Sequence, residues 1–426
     1  MEAISQQPSS EVARSTPAPE RAYSVLGIML QRFIGQGSLV LFDYDGSCWE
    51  CGEASNGTPP VIVRVKDKRL YPRLLADGSL ALGESYADGW WEVEGERLQE
   101  LFGLLFANNV DRLFNGGLFP RMLGRVRSWR LGRNLVRAAQ EDIRVHYDLS
   151  NDFFAHMLDS TMTYSCGYAT SDGDSLEQMQ QNKLQRIARK LGLHRGGRLL
   201  DIGCGWGGLL TYVGEKFPNV HGLGITLSEE QYEFARSRLR ERGLQDRMRV
   251  QLIDFRDLSG AFDFVVSVGM FEHVGQRSYG DFFRAVRRSL EPTGTALLHT
   301  IGVEEDPGRL QDPWINRYIF PGSRLPRLEE LVKGSREADL AVGHVENWRP
   351  HYALTLRHWR KNFKAQWPAI MKLGRSFDSR FYRIWDFYLQ ACEACFIDST
   401  VELYQVLLSP RPRWNFPQCF EFGARS

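Results

Sequence analysis

Long apolar runs are missing from this sequence of 426 residues, and none approaches the ~18–20 residues that a membrane-spanning helix requires. The Ser- and Pro-rich stretch 1–20 also lacks an apolar signal core, so we expect it to be a disordered tail. A charge excess is missing too, because 53 Lys and Arg residues face 52 Asp and Glu residues. The net charge of +1 does not favour nucleic acid as a partner, and we expect a cytoplasmic chain.

Cysteine is scarce, with seven residues that include two C-x-x-C pairs, Cys48/Cys51 and Cys392/Cys395. Four thiolates can hold a zinc ion, but these pairs lie far apart in the chain and the second falls in a helical pattern. We therefore expect no metal site, and we interpret the cysteines as small buried or unreactive thiols.

The most informative segment begins at Arg198, with the short apolar strand RLLDI. Glycines follow at alternate positions, Gly203, Gly205 and Gly207, and a helical run and the apolar strand VHGLGIT come next. Strand, glycine turn, helix and strand are the first crossover of a doubly wound α/β sheet. Glycines let the backbone bend sharply and approach a ligand, which then faces the N-terminus of the helix.

A nicotinamide dinucleotide is disfavoured at this turn, because the region about twenty residues past Gly203 lacks the carboxylate that would bind the ribose. An acid, Asp201, instead precedes the glycines, as in motif I of S-adenosylmethionine-dependent methyltransferases. The alternative is a tight strand-to-helix turn without a ligand. The next helix begins at Ser228, which forms a predicted capping box with Gln231.

Later segments bring further polar residues to the same edge of the predicted sheet, where ligands bind in this fold class. Asp254 lies at the end of a third strand, Glu272 follows a fourth, and His299 ends a fifth. Taken singly, each has a structural alternative as a helix cap or a core histidine. The convergence of four segments predicts a binding site within a Rossmann-like methyltransferase domain over residues 141–426.

The N-terminal part, residues 21–105, has the pattern of a separate small α+β domain. Alternating segments predict strands at SLVLFDYD, VIVRVKD and LYPRLL, and a helix at ERLQELFGLLFANN. Trp90 and Trp91 are predicted to be core residues, with a lipid-facing edge as the alternative.

The segment 106–140 is predicted to be a basic helical linker. Its arginines alternate with apolar residues, so it fits a helix on an anionic bilayer and equally a solvated helix packed on the next domain. The arginines are Arg112, Arg121, Arg125, Arg127, Arg130, Arg133 and Arg137.

Beyond the fifth predicted strand, residues of about 303–350 have the aromatic, Pro-rich and basic character of a lid. The aromatic residues of 310–420 fit an acyl groove or an ordinary core. A helix at IWDFYLQACEACF and a strand at VELYQVLLS are predicted to complete the domain.

A group of motifs in this order resembles the cyclopropane-fatty-acyl-phospholipid synthases, relatives of the mycolic acid cyclopropane synthases. The resemblance covers roughly residues 140–410, and the N-terminal domain is similar to the extra domain of the phospholipid-acting branch. It implies a homodimer that contacts the membrane transiently and acts on unsaturated acyl chains of phospholipids. The motifs are HYDLSNDFF, MTYSCGYA, DIGCGWGG, GITLSEEQ, VGMFEHVG, LLHTIG, DPWINRYIFPG and HYALTLRHW.

The resemblance also implies a mechanism, in which the alkene attacks the methyl group of S-adenosylmethionine and bound bicarbonate removes a proton so that the ring closes. Catalytic positions carried over from the family are Cys166, Glu272, His299, Ile301 and Tyr352. Cofactor-binding positions are Tyr164, Ser165, Asp201, Gly203, Gly205, Thr226, Leu227, Gln231, Asp254, Phe255 and Arg256, with Asp254 expected at the adenine.

Three alternatives stay open on the sequence. The first is a relative that methylates the acyl chain without closing a ring, which shares most of these motifs. The second is a lipid-binding protein without activity, and the third is a small-molecule methyltransferase of the same fold. The complete set of anion-site residues favours ring closure.

Overall fold

The computed structural model describes residues 25–53, 57–110, 149–304, 312–398 and 400–411. The predicted tail over 1–20 and all seven arginines of the predicted basic linker lie outside these ranges. Both interpretations of the linker therefore remain predictions.

A central sheet of seven strands has the order β10-β11-β9-β8-β5-β6-β7. The strands from β5 to β9 pair in parallel, whereas β11 pairs antiparallel with both β9 and β10. This arrangement confirms the predicted doubly wound α/β fold. The strands are β5 Gly197–Ile202, β6 Val220–Thr226, β7 Met248–Leu252, β8 Phe262–Val268, β9 Leu290–Gly302, β10 Leu340–Asn347 and β11 Glu402–Pro410.

Helices cover both faces of this sheet, so the inner strands are buried on both sides and read as continuous apolar runs. Ser228 accepts a hydrogen bond from the Gln231 backbone as predicted, but the Gln231 side chain instead accepts one from the Thr226 hydroxyl. The predicted capping box is thus only half formed. The helices are α5 Asn151–Met157, α6 Leu176–Leu191, α7 Gly208–Lys216, α8 Glu229–Glu241 and α9 Tyr279–Ser289, then α10 Pro313–Tyr318, α11 Leu328–Glu337, α12 Arg349–Ile370 and α13 Ser379–Ile397.

The N-terminal part contains a second sheet, of order β2-β1-β3-β4. The prediction of a strand at LYPRLL is wrong, because this segment starts a helix whose buried Leu70 and Leu74 lie four residues apart on one face. Trp91 is buried as predicted, whereas Trp90 is half-buried under the Arg69 guanidinium. The elements are β1 Ser38–Phe42, β2 Cys48–Gly52, β3 Val61–Val65 and β4 Trp91–Val93, with α1 Val25–Phe33, α2 Leu70–Asp77, α3 Ser79–Ala87 and α4 Leu98–Ala107.

The predicted lid over 303–350 contains more regular structure than expected. Its second half forms α11 and β10, and β10 is an edge strand of the central sheet because it pairs with β11. Only the first half, α10 and the turn that follows it to Leu325, covers the sheet edge described below.

Helix α10 rests on α3 of the N-terminal part. The Trp314 ring lies against Gly83, and Glu84 accepts a hydrogen bond from Tyr318 and pairs with Arg317 and Arg73. The two parts share one continuous core, since α13 also packs against α3 and α4. In the described part of the chain, each helix is too short or too polar to cross a membrane.

Replacing Gly83 by Ala tests this contact. A Cβ at position 83 would lie 2.3 Å from Trp314 Nε1, so we expect a loss of about 1–3 kcal/mol in unfolding free energy. Helix propensity alone would give the opposite sign, a gain of about 1 kcal/mol for Ala over Gly. Thermal unfolding of the variant measures the difference.

The control is Gly173→Ala, where the nearest atom to the new Cβ is 4.0 Å away, at the Ser171 hydroxyl. An unchanged or higher melting temperature for Gly83→Ala would show that Trp314 does not pack tightly on α3.

Candidate active site

The glycine turn after β5 has the backbone conformation that only glycine adopts readily. Gly203, Gly205 and Gly207 have φ values of +80°, +54° and +77°. A Cβ on Gly203 would meet Met270 at 2.6 Å, whereas one on Gly205 would meet no protein atom within 4 Å. The open side of Gly205 faces a cavity, and α7 begins directly after the turn.

This cavity has a volume of about 900 Å³ and lies at the carboxyl ends of β5, β6, β7 and β8. Every predicted cofactor residue lines it, and so do three of the five predicted catalytic residues: Glu272, Ile301 and Tyr352. Cys166 and His299 are buried and do not line it. The structure thus brings segments from four strand ends to one space. The cofactor candidates that line it are Tyr164, Ser165, Asp201, Gly203, Gly205, Thr226, Leu227, Gln231, Asp254, Phe255 and Arg256.

A buried lysine that the sequence analysis missed lies beside Asp201. Lys183 on α6 is 1% exposed, and its ammonium donates to the Ser165 hydroxyl at 2.8 Å. Burial lowers the pKa of Lys183 to about 8 and raises the pKa of Asp201 to about 7. A signal was present in the sequence, since Lys183 falls on the apolar face of an amphipathic helix.

The wall beyond β6 and β7 carries the other polar candidates. Leu227 is 71% exposed toward solvent and the cavity, next to the Thr226–Gln231 hydrogen bond. Asp254 lies two residues past β7, and both of its carboxylate oxygens accept hydrogen bonds from the Arg256 side chain. These hydrogen bonds lower the pKa of Asp254, so its side chain is a carboxylate. An amino group of a ligand would share the carboxylate oxygens with Arg256.

Glu272 carries an unsatisfied oxygen inside the protein. It lies on the 3-10 turn Phe271–His273 after β8, and its Oε1 accepts a hydrogen bond from the Ile301 backbone at 2.6 Å. Its Oε2 is buried without a hydrogen-bond partner among the described residues. Burial raises the pKa of Glu272 to about 7.

His299 does not end its strand as expected, because β9 continues to Gly302 and pairs with β11 along its whole carboxyl half. The imidazole is 1% exposed, and its Nδ1 lies 3.0 Å from Nε2 of Gln405. Its Nε2 has no hydrogen-bond partner in the described ranges. Burial, with Lys183 and Lys190 nearby, lowers the pKa of His299 well below its usual value, so the ring is neutral.

Cys166 and Tyr352 complete the predicted catalytic set. Cys166 is fully buried and contacts the Thr355 hydroxyl, and burial raises the pKa of its thiol. That thiol is therefore not a thiolate nucleophile at neutral pH. The Tyr352 ring lines the cavity and stacks on Phe396 with a centroid distance of 4.4 Å.

Aromatic residues of 310–420 lie both in the cavity wall and in the core. Phe320 and Trp385 line the cavity, together with Phe154 from α5. Trp314 and Trp359, in contrast, are core residues with 1% and 0% exposure. Aromatic rings thus form part of the cavity wall.

The cysteine pairs form no metal site in this fold. Cys48 and Cys51 lie three positions apart on β2, so their side chains point to opposite faces, one exposed and one buried. No group of His, Cys, Asp or Glu in the described part of the chain is arranged to hold a metal ion.

Comparisons with known proteins show what this chain is similar to. The family model for mycolic acid cyclopropane synthetase matches residues 135–406. The cyclopropane-fatty-acyl-phospholipid synthase of Escherichia coli K12 is 40% identical over 369 residues, which cover 84% of this chain and 90% of that relative.

A probable fatty acid methyltransferase of Pseudomonas putida is 34% identical over 376 residues, which cover 85% of this chain and 90% of that protein. Among solved structures, the mycolic acid cyclopropane synthase CmaA1 complexed with SAH and CTAB has a TM-score of 0.57 and 32% identity. It covers 63% of this chain and 97% of its own.

The raised pKa of Glu272 makes folding stability depend on pH. Because its pKa rises from the ordinary 4.5 to about 7 on folding, its contribution is fully present below 4.5 and is lost as pH rises through 7. Relative to Glu272→Gln, we expect the wild-type free energy of unfolding to fall by about 2–3 kcal/mol between about pH 5 and pH 8. Urea unfolding at both pH values measures this.

Glu330→Gln is the control of opposite sign. Burial alone would raise the pKa of Glu330, but hydrogen bonds from Arg327 and Arg324 lower it. Its contribution is therefore present at high pH and lost on acidification. A pH-independent difference between wild type and Glu272→Gln would mean that burial does not perturb Glu272.

Proposed function

This chain belongs to the mycolic acid cyclopropane synthetase family, and we propose that it is a cyclopropane-fatty-acyl-phospholipid synthase. It is an S-adenosylmethionine-dependent enzyme that adds a methylene to the cis double bond of an unsaturated phospholipid acyl chain. The similarity to the Escherichia coli enzyme of this name, over 84% of this chain, supports the assignment. The observation that carries it is that two buried atoms, Glu272 Oε2 and His299 Nε2, have no hydrogen-bond partner among the described residues, in a protein whose glycine turn leaves open space at Gly205.

When bound, S-adenosylmethionine supplies the methyl group and a bicarbonate ion supplies the base for ring closure. Gly205 leaves room for the methionine and ribose parts beside the turn, and Gly203 and Asp201 line the same cavity. Asp254 and Phe255 lie where the adenine would be held. The remaining cofactor candidates are assigned to the same site on their place in the cavity wall.

The residues around Glu272 fit bicarbonate chemically. Neutral His299 can donate one hydrogen bond, and Tyr352 can donate another from its hydroxyl. Glu272 in its carboxylate form can accept the proton of a hydroxyl group at Oε2, which has no partner in the described ranges. The backbone of Ile301 holds Glu272 in place, and the Cys166 thiol packs behind the set as a neutral group.

The cavity wall suits the reacting alkene, which is a weak nucleophile and has to be aligned with the methyl group. Phe154, Tyr164 and Trp385 contribute apolar ring surfaces to the cavity wall. Their ring faces also tolerate positive charge that develops on the acyl chain. The side chains that line the cavity therefore position the acyl chain and exclude water. The proton of the transferred methyl group is removed beside Glu272.

The segment from α10 to Leu325 would cover the bound acyl chain, since Ile319, Phe320 and Ser323 line the cavity. We extend the proposal to a cytoplasmic homodimer. We also propose that it contacts the membrane surface transiently, because the alkene lies within a bilayer. The division into an N-terminal domain over 21–105, a linker over 106–140 and a catalytic domain over 141–426 belongs to the same proposal.

The alternative is methylation of the acyl chain without ring closure. The similarity to the probable fatty acid methyltransferase of Pseudomonas putida supports this alternative reaction. An intact base site favours the cyclopropane, because ring closure needs the proton to leave the transferred methyl group.

Product analysis decides between these reactions. Purified protein is incubated with S-adenosylmethionine, bicarbonate and vesicles of a monounsaturated phospholipid, and the fatty acids are analysed by mass spectrometry. We expect a product one CH₂ heavier than the alkene that resists mild catalytic hydrogenation. In Glu272→Ala its rate should fall on the order of 100-fold, the usual effect of losing a group that assists proton transfer.

The matched control is Glu393→Gln, a buried carboxyl that pairs with Arg357 outside the cavity and should keep its activity. A product that takes up hydrogen would move the assignment to ring-free methylation. If no product forms while the cofactor still binds, acyl chains are not the substrate.

Cofactor binding is tested at Gly205. A methyl group there would project toward the cavity, so Gly205→Ala should weaken binding of S-adenosylhomocysteine at least about tenfold, a loss of about 1.4 kcal/mol. The positive φ should also cost about 1–2 kcal/mol of stability. Isothermal titration calorimetry and thermal unfolding measure the two effects.

Gly243→Ala separates the two effects. Gly243 has a φ of +66°, and a methyl group added there would also meet no atom within 4 Å, but this glycine lies outside the cavity. The variant should lose similar stability and keep its affinity. Equal affinities for both variants would place the cofactor away from the glycine turn.

A further inference from the structure

Gln405 is a buried polar residue in the middle of an apolar strand. All nine residues of β11 are buried, and Gln405 is 1% exposed. In the register of the antiparallel pair β9–β11 it lies directly opposite His299. Cross-strand neighbours point to the same face of a sheet, so the amide meets the imidazole there.

The orientation of this amide is fixed by Lys190. The Lys190 ammonium, on α6, lies 2.6 Å from Oε1 of Gln405 and 2.6 Å from Oε2 of Glu346. An ammonium group only donates hydrogen bonds, so the atom of Gln405 that faces it has to be the oxygen. The reversed amide would place an NH₂ group against a cation. The NH₂ group of Gln405 therefore faces His299.

Glu346 in turn holds Lys190 in place. It also accepts a hydrogen bond from Trp348 Nε1 at 2.6 Å, and Trp348 packs edge-on against the His299 ring. Burial alone would raise the pKa of Glu346, but Lys190 lowers it to about 2. The acid is thus ionised whenever the protein is folded near neutral pH, and Lys190 stays paired.

The tautomer of His299 follows from these contacts. Nδ1 faces the NH₂ group of Gln405 at 3.0 Å and has to accept, so it carries no proton. The neutral ring then carries its proton on Nε2, which is the nitrogen without a partner among the described residues. The site receives a hydrogen-bond donor and not a lone pair.

We propose that Lys190 and Gln405 are positioning residues that hold His299 in the Nε2–H tautomer and so give the site a fixed donor for an anion. Neither residue touches the cavity, and both act through His299. The assignment of the tautomer stands on contacts alone, and only the identity of the anion as bicarbonate rests on the proposed function. In the opposite tautomer the Nε2 lone pair would repel the anion.

The first test measures the protonation of the His299 ring nitrogens in the wild-type protein, and a variant is needed only to assign the NMR signal. The protein with ¹⁵N-labelled histidines is studied by two-bond ¹H–¹⁵N correlation NMR, which separates protonated from unprotonated ring nitrogens. His299→Gln assigns the signal among the nine histidines. We expect Nδ1 of His299 to be unprotonated and Nε2 to carry the proton. A ring protonated at Nδ1 overturns the proposal.

Gln405→Glu is the isosteric variant that should reverse the tautomer. Lys190 keeps the new carboxylate ionised, so both of its oxygens accept and His299 has to donate from Nδ1. We expect the NMR pattern to invert and turnover to fall at least about tenfold, the range for one hydrogen bond to a charged group. Inversion of the tautomer with unchanged turnover would show that Lys190 and Gln405 have no role in the reaction.

Lys190 is tested with two substitutions and a control on the same helix. Lys190→Met frees the amide to rotate and should give mixed tautomers, whereas Lys190→Arg keeps a cation and should restore the wild-type pattern. Arg186→Met removes another partner of Glu346 but no contact to Gln405, and it should leave the tautomer unchanged.

These readouts separate this proposal from the proposed function. If the Nε2–H tautomer is found but no cyclopropane forms from phospholipid vesicles, the function falls and the positioning of His299 stands. If the cyclopropane forms while wild-type His299 is protonated at Nδ1, the function stands and the positioning role falls.

Discussion

A row of polar groups that runs from the edge strand β10 through α6 to β11 and β9 is the constraint on which the site depends. Glu346, Lys190, Gln405 and His299 follow one another in hydrogen-bond contact. Each member is satisfied by its neighbour, because an unpaired buried polar group costs about 1–3 kcal/mol. The row ends beside the cavity at a nitrogen without a partner in the described part of the chain, where a ligand can complete it.

A second buried pair, Lys183 and Asp201, lies under the glycine turn, and burial shifts both groups toward their neutral forms. Lys183 and Asp201 are thus not fully ionised near neutral pH. Burial favours the neutral forms of His299 and Cys166 for the same reason.

The N-terminal part supports the cavity but supplies none of the described residues that line it. Its helix α3 carries Gly83 and Glu84, which hold α10 through Trp314, Tyr318 and Arg317. The turn after α10 then forms one wall of the cavity. A packing contact between the two parts of the chain thus sets the position of this wall of the cavity.

The sequence by itself determined the sheet class, the glycine turn and some of the residues that line the cavity, because strand ends and glycine spacing are local patterns. It misjudged LYPRLL, where Leu70 and Leu74 fit a helix as well as a strand, and it placed β10 inside a lid. Only the tertiary structure identified Lys183, Lys190 and Gln405 as partners of the site. The roles of Lys190 and Gln405 depend on contacts between α6, β9 and β11, which lie up to 215 residues apart in the chain, so no local pattern encodes them.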